Sequence, residues 1–321
     1  MIKIKKFSKN NYDTWDSFVL GSNNGTLFHL RKFLGYHPED RFKDHSVEVY
    51  KKNTLLSVFP AADIIINDKK MLVSHPGSSY GSFVLKEELS IKDAMEMVSK
   101  LIDYSSKKGF EGIQLTIPPG FHSNRLSNYI EYSLLFNGFD YFRREVTSIL
   151  TIEKSEHNIL NKFKTSHQRA VRKSKKLGVV TKITERADEF YSMLKNNLKI
   201  RHGVDPTHSL KELKLLIKLF PESINIFGAF YDNQMIAGVL NIIVKEGVAL
   251  AFYISHKEGF QELRPLNLLF FDIFKWGYKN NIKIYDFGTF TDNGVANMGL
   301  GRFKESFGAS GVFRDSFKIL F

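Results

Sequence analysis

The sequence predicts an α+β protein made of two tandem copies of one unit, each a mixed sheet flanked by helices. Two observations carry that expectation. The chain has 321 residues, more than the ~100–200 of a usual domain. Each half also runs through the same order of signals: a meander of apolar strands, a helix, a strand, a helix and a strand.

In the first half, residues 47–50 (VEVY), 55–66 (LLSVFPAADIII) and 71–73 (MLV) read as strands, because β-branched and apolar residues are parted by turn chemistry at Lys52-Asn53 and Asn67-Asp68. A helix is predicted from Ile91 to Lys108, where Ala94, Met95, Val98, Leu101 and Ile102 recur at spacings of three and four before Gly109. Strand 112–117 follows and ends at Pro118-Pro119-Gly120. A helix over 123–136, a turn at Asn137-Gly138 and strand 145–152 complete the first copy.

The second copy opens with strands 224–231, 235–244 and 248–254, joined at Asp232-Asn233 and Lys245-Glu246-Gly247. Helix 265–280 carries Leu268, Leu269, Ile273 and Trp276 on one stripe, and strand 282–287 comes next. A loop over 288–299, a short helix near 300–307 and strand 312–320 close the chain. Between the copies, 157–219 reads as a basic helix 157–177, strand 179–183 and helices 187–202 and 209–219. The expected domains are therefore 1–152 and 153–321, the second containing the inserted helices 157–219.

Lys and Arg number 46 against 34 Asp and Glu, and the excess of 12 positive charges favours a polyanionic partner such as RNA, a phosphorylated metabolite or an anionic membrane face. With no Cys, a disulfide scaffold, a thiolate zinc site, an iron–sulfur cluster and a cysteine nucleophile are excluded. The N-terminus lacks a signal-peptide pattern and no segment approaches the ~20 apolar residues of a membrane span, so a cytoplasmic location is expected.

Five segments are candidates for chemistry. The stretch 162–176 holds seven Lys/Arg and no acid, placing Arg169, Arg172, Lys173 and Lys176 on one helix face where they bind phosphate or RNA or form a solvated surface. In the loop 74–82, His75, Tyr80 and hydroxyls suit a polar ligand, while its glycines also suit an ordinary turn. Asp286, at the end of a strand, orients or deprotonates an amine, or caps the following loop. Lys304 projects beside the Phe303/Phe307 stripe, suiting a developing oxyanion or a solvated surface. Arg264-Pro265-Leu266-Asn267 opens a helix whose first amides attract anions, although Pro there also serves plain helix initiation. No GxGxxG, GxxxxGK[ST], HExxH or GxSxG stands in context, and the dispersed His predict no metal site.

Taken together, Trp15-Asp16-Ser17-Phe18, Gly25-Thr26-Leu27-Phe28-His29, the HPGSSYG loop, Arg169-Ala170-Val171-Arg172-Lys173, Met235-Ile236-Ala237-Gly238, Tyr285-Asp286-Phe287-Gly288 and FKESFG resemble the Fem-type (FemAB-like) acyltransferases with tandem GNAT-like domains. The resemblance implies an acyl- or aminoacyltransferase acting on an amine of a peptidoglycan or polysaccharide precursor. It further implies Lys304 as oxyanion stabiliser, Phe303 as the aromatic contacting the tRNA end and Arg201 as a binder of precursor phosphates.

No tightly bound cofactor is implied. The donor is an aminoacyl-tRNA or acyl thioester acting as co-substrate, and the partners are a phosphorylated envelope precursor, tRNA and the inner membrane face, not DNA. Because Arg264-Pro265-Leu266-Asn267 replaces the glycine-rich pyrophosphate loop of acetyl-CoA enzymes, acetyl-CoA is not the expected donor. The alternative is a non-catalytic GNAT-like module that binds RNA, anionic lipid or a polysaccharide precursor.

Overall fold

The computed structural model describes residues 1–38 and 40–321, with the side chains of Arg201 and His202 outside that description. By contacts the chain divides into unit 1, Met1–Glu145 with Phe313–Phe321, and unit 2, Val146–Val312. The division thus falls after Glu145 rather than after residue 152, and the C-terminal segment belongs to unit 1 rather than to the second copy.

Unit 1 begins with β1 (Ile2–Lys6), α1 (Tyr12–Leu20), α2 (Arg31–Leu34), β2 (Lys43–Asp44), β3 (Val47–Lys51), β4 (Thr54–Phe59), β5 (Ala62–Ile66), β6 (Lys69–Ser74) and β7 (Val84–Leu85). It continues through α3 (Ile91–Lys107), β8 (Gly112–Thr116), α4 (Tyr129–Phe136) and the start of β9 (Asp140–Thr151). Pro60, which has no N–H for a ladder, divides the single strand expected over 55–66, and the two halves enter different sheets. One sheet runs β1-β3-β4-β7 and the other holds β2, β5, β6 and β8 in that order. The helix expected over 123–136 starts only at Tyr129, since 120–122 form a single tight turn.

Unit 2 contains α5 (Glu156–Lys162), α6 (Thr165–Lys176), β10 (Val180–Thr184), α7 (Ala187–His202), α8 (Leu210–Leu219), β11 (Ile224–Tyr231), β12 (Gln234–Lys245) and β13 (Val248–His256). After these come α9 (Pro265–Lys279), β14 (Ile284–Thr289), β15 (Thr291–Asp292), β16 (Val295–Ala296), α10 (Met298–Glu305) and the start of β17 (Ser310–Leu320). Its sheet runs β10-β11-β12-β13-β14-β9. The basic helix predicted over 157–177 breaks into α5 and α6 because Phe163 turns extended and buries its ring against Phe271, Phe274 and Phe307. The expected loop 288–299 holds the small hairpin β15–β16.

Both units contain the duplicated core of the fold: an antiparallel hairpin, a helix, and a strand parallel to the second hairpin strand. In unit 1 this is β5–β6, α3 and β8; in unit 2 it is β12–β13, α9 and β14. Residues 316–320 of β17 pair with β8, which is why the C-terminus belongs to unit 1, and Thr147–Thr151 of β9 pair with β14 in unit 2.

An aromatic core fills unit 2, where Phe270, Phe274, Tyr285, Phe287 and Phe307 meet at ring separations of 5–6.4 Å. Each fully buried ring contributes roughly 1.5–3 kcal/mol. This core fixes α9 and α10, the helices that flank the site described next. Among the described residues, no helix is long and apolar enough to cross a membrane.

Candidate functional site

Within unit 2 the parallel ladder between β13 and β14 ends at the pair Leu250↔Asp286, although β13 continues to His256 and β14 to Thr289. The strands therefore separate beyond Leu250, and the free end of β13 leads into the turn before α9. Gln261–Leu263 form a tight turn there, Arg264 takes the left-handed conformation at φ +54°, and Pro265 starts α9. Such a conformation costs a non-glycine residue about 1–2 kcal/mol, and backbone strain of this kind concentrates at functional sites.

A cleft of about 200 Å³ opens at this turn, lined by His167, His256, Gln261, Arg264, Pro265, Leu266, Asn267 and Phe303. A second, of about 350 Å³, shares His167, Arg264 and Asn267 and adds Ser166, Arg169, Ala170 and Lys173. Together they make one groove between the start of α6 and the start of α9. Lys164 N–H, bonded to Ser306 O at 2.9 Å, ties the start of α6 to the end of α10. Phe303, packed on Phe270 and Phe307, supplies an apolar wall, and Arg169, Lys173 and Arg264 supply positive charge.

Two polar atoms of this groove lack partners. Asn267 is buried, yet its Nδ2 finds no acceptor among the described residues, and the buried Nδ1 of His167 is likewise unbonded there. An unmet buried polar group costs about 1–3 kcal/mol. No side chain caps the start of α9, so its end presents the positive pole of the helix to the same space. Burial pushes the His167 imidazole below the ordinary His range, and the charges of Arg264 and Lys164 push it the same way. It is thus a neutral base at pH 7.

The groove gathers part of the sequence-predicted set: Arg264, Asn267, Phe303, Arg169 and Lys173. Arg172 and Lys176 lie on α6 but do not line it: Arg172 is turned by about 100° from Lys173, and Lys176, though on the same side as Arg169, is two turns further along the helix. Arg201 lies outside the described residues.

Lys304 and Asp286, the expected catalytic residues, are buried and do not line the groove. Lys304 is only 1% exposed, and its Nζ donates to Gly288 O at 2.7 Å and Thr289 O at 2.8 Å. Asp286 is fully buried and accepts from Thr147 Oγ1 at 2.5 Å and Gly288 N–H at 2.8 Å. They support a bulge in the β14–β9 ladder between Asp286 and Thr289.

His75 and Tyr80 also depart from the ligand-binding expectation, since both are buried in unit 1. Tyr80 packs against Phe28 and His122, and burial pushes His75 down to about 3. The loop takes this form for packing: a Cβ on Gly81 would stand 2.3 Å from the Ser74 carbonyl. The sequence reading missed His167, His256 and Gln261. His167 had a legible signal, being in step with Ala170, Val171 and Ser174 on the inward face of α6.

Residues 161–305, which include this groove, match the family model described as acetyltransferase (GNAT) domain. No curated protein sequence matches the chain significantly. Among solved structures, FemX superimposes with a TM-score of 0.75 at 13% identity, covering 99% of this chain and 97% of that one. The C-terminal domain of a putative lysylphosphatidylglycerol synthetase from Agrobacterium fabrum gives 0.61 at 10% identity, covering 96% and 91%. A tandem GNAT protein from the clavulanic acid biosynthesis pathway gives 0.57 at 8% identity, covering 100% and 98%. The fold is accordingly the tandem GNAT fold, similar to that of FemX, in line with the fold that the sequence resemblance implies.

Proposed function

We propose that the chain is an acyl- or aminoacyltransferase whose donor binds in the groove between α6 and α9, and whose acceptor is an amine on a phosphorylated cell-envelope precursor. One observation carries this reading: Asn267, whose buried Nδ2 has no acceptor among the described residues, lines the same groove as the uncapped start of α9, Arg264 and the neutral His167. The fold likeness to FemX and to a lysylphosphatidylglycerol synthetase supports the envelope setting.

In the reaction the acceptor nitrogen attacks the donor carbonyl carbon, a C–N bond forms and the C–O or C–S bond of the ester or thioester breaks. His167 takes the proton leaving the nitrogen and returns it to the departing oxygen or sulfur. Asn267 Nδ2 donates to the oxyanion, a stabilisation typically worth about 2.7–4 kcal/mol. Arg264, Arg169 and Lys173 hold donor phosphates. Phe303 packs on the apolar part of the donor end. Lys304 and Asp286 act as positioning residues, fixing the strand bulge below.

Purified protein incubated with a mixed aminoacyl-tRNA pool, or with acyl thioesters, and an amine-bearing nucleotide- or lipid-linked peptidoglycan precursor tests the reading by mass spectrometry. The expected product is the precursor heavier by one acyl or aminoacyl group, with Asn267→Ala and Arg264→Ala each slowing its formation at least about tenfold. Full turnover in both variants would remove the groove from the mechanism.

A further inference from the structure

A cavity of about 650 Å³, larger than either cleft of the groove, opens in unit 2 between α8, the start of α7 and the β10–β11 edge, and it shares no lining residue with them. On β11, Phe227 turns toward α9, its ring 5.2 Å from that of Trp276. Ile224 and Ile226, of the other parity, look to the opposite side of the sheet and line this cavity.

The cavity exists because a strand stops short. β10 is an edge strand, and its pairing with β11 ends at Thr184↔Ile226, whereas β11 pairs with β12 from Ile224 onward. Ile224 and Asn225 therefore have a strand on one side only. The cavity lies against that gap: it touches Ile183, Thr184 and Glu185 in succession, and Ile224, Asn225 and Ile226 in succession. Successive strand residues point to opposite faces, so contact with three in a row is contact with the main-chain edge.

Helix α8 forms the other wall. Leu213 and Leu216 are 1% exposed and anchor it, while Lys214, Ile217 and Lys218, at spacings of three and four, border the cavity. Ile217 and the buried Ala187, Ile224 and Ile226 make the interior apolar. Lys214 is held by Asp188 at 2.8 Å, but Lys218 and Glu185 make no ion pair among the described residues. The cavity thus offers one cation, one anion, an apolar interior and an open strand edge.

From this combination we infer that the cavity binds a short apolar peptide with free termini, extended beside Ile224 and Asn225 in line with β10. Strand addition of this kind takes affinity from main-chain hydrogen bonds and specificity from alternate side chains. Running antiparallel to β11, as β10 does, the peptide starts beside Glu185, which meets its ammonium, and ends toward Pro221 and Lys218, which meets its carboxylate. At ~3.3–3.6 Å per extended residue, and with a volume inside the ~300–1,000 Å³ of small-molecule sites, about two or three residues fit. A fatty acid matches Lys218 but leaves Glu185 and the strand gap unmet.

The cavity and the groove use different residues, so one titration separates this inference from the transferase reading. The full chain is titrated calorimetrically with trileucine, with N-acetyl-trileucine amide and with decanoate. One trileucine per chain is expected, bound at least about fivefold more tightly than the blocked peptide or decanoate. Ile217→Asp, which sets a charge on the apolar wall, is expected to weaken trileucine binding about tenfold or more. Glu185→Gln/Lys218→Gln, at exposed positions, supplies a loss of about fivefold should Ile217→Asp fail to fold. Arg264→Ala, in the groove, binds trileucine as the unaltered chain does. Absence of trileucine binding, equal binding of the blocked peptide, undiminished binding by both cavity variants, or loss of binding in Arg264→Ala would each overturn the proposal, and tighter binding of decanoate would give the cavity to a fatty acid instead.

Discussion

Asp286 and Lys304 hold opposite ends of the same residue. Asp286 Oδ1 accepts the Gly288 N–H at 2.8 Å, and Lys304 Nζ donates to the Gly288 carbonyl at 2.7 Å. Gly288 has φ +75° and sits in the β14 bulge, a conformation that only glycine adopts cheaply. Without the ammonium, two buried carbonyls lose a charged donor. Lys304→Met is therefore expected to lower stability by about 3 kcal/mol, read as a shifted urea midpoint with the slope unchanged. An unaltered midpoint together with lost transfer would return Lys304 to direct contact with substrate.

Unit 1 has a separate acid sensitivity. His75 is buried, its pKa falls from 6.5 to about 3, and nearby Asp44 opposes that fall only in part. The unfolded chain takes up this proton first, so the stability from the neutral ring is complete above pH 6.5 and is lost as pH falls toward about 3. The slope is about 1.4 kcal/mol per pH unit for one proton. Between pH 6.5 and 4.5 the unaltered chain should lose about 2–3 kcal/mol more than His75→Gln, by urea unfolding at each pH. Parallel losses in the two proteins would mean that His75 does not titrate with unfolding.

Phosphate binding in the groove has a signature in salt. Lys173 pairs with Glu262 at 3.3 Å, but both side chains are well exposed, and such a pair contributes little. Arg169 and Lys173 thus remain able to meet phosphates. If the donor is a tRNA, its affinity should fall as salt rises, and Arg169→Ala and Lys173→Ala should each lower the salt slope by about one. A filter-binding series at several salt concentrations measures this. Slopes unchanged in both variants would take RNA off α6.

Periodicity made the duplicated hairpin, helix and strand legible, because Leu268, Leu269 and Ile273 must all face one sheet whatever lies beyond. It also fixed Gly109 and Asn137-Gly138 as ends of α3 and α4. Pairing partners were not legible: nothing local in β17 says that Ser316–Leu320 lie beside β8, about 200 positions earlier in the chain. The site was legible in fragments. Charge marked Arg169, Lys173 and Arg264, and helix-start chemistry marked Asn267. The tasks of Lys304 and His75 depend on burial, which residue type alone would assign to solvent for a lysine and leave undecided for a histidine.

His167 decides whether the groove catalyses. Its ring packs 5.0 Å from Phe307 and faces the cleft shared with Arg264, with Nδ1 unbonded. Because burial first, and then Arg264 and Lys164, hold its pKa below 6.5, the base form is already present on the acid side of neutrality. The acid limb of kcat/KM should accordingly lie below pH 6.5 in the unaltered chain and move up toward it in Arg264→Ala, where one repelling charge is gone. His167→Gln keeps much of the ring's volume and polarity but cannot accept the proton, so kcat should fall about 10²–10⁴-fold with little change in KM, and the limb should vanish. An acid limb that survives His167→Gln at the same pH would assign the proton to another base, and His256, which lines the same cleft, would be the next to substitute.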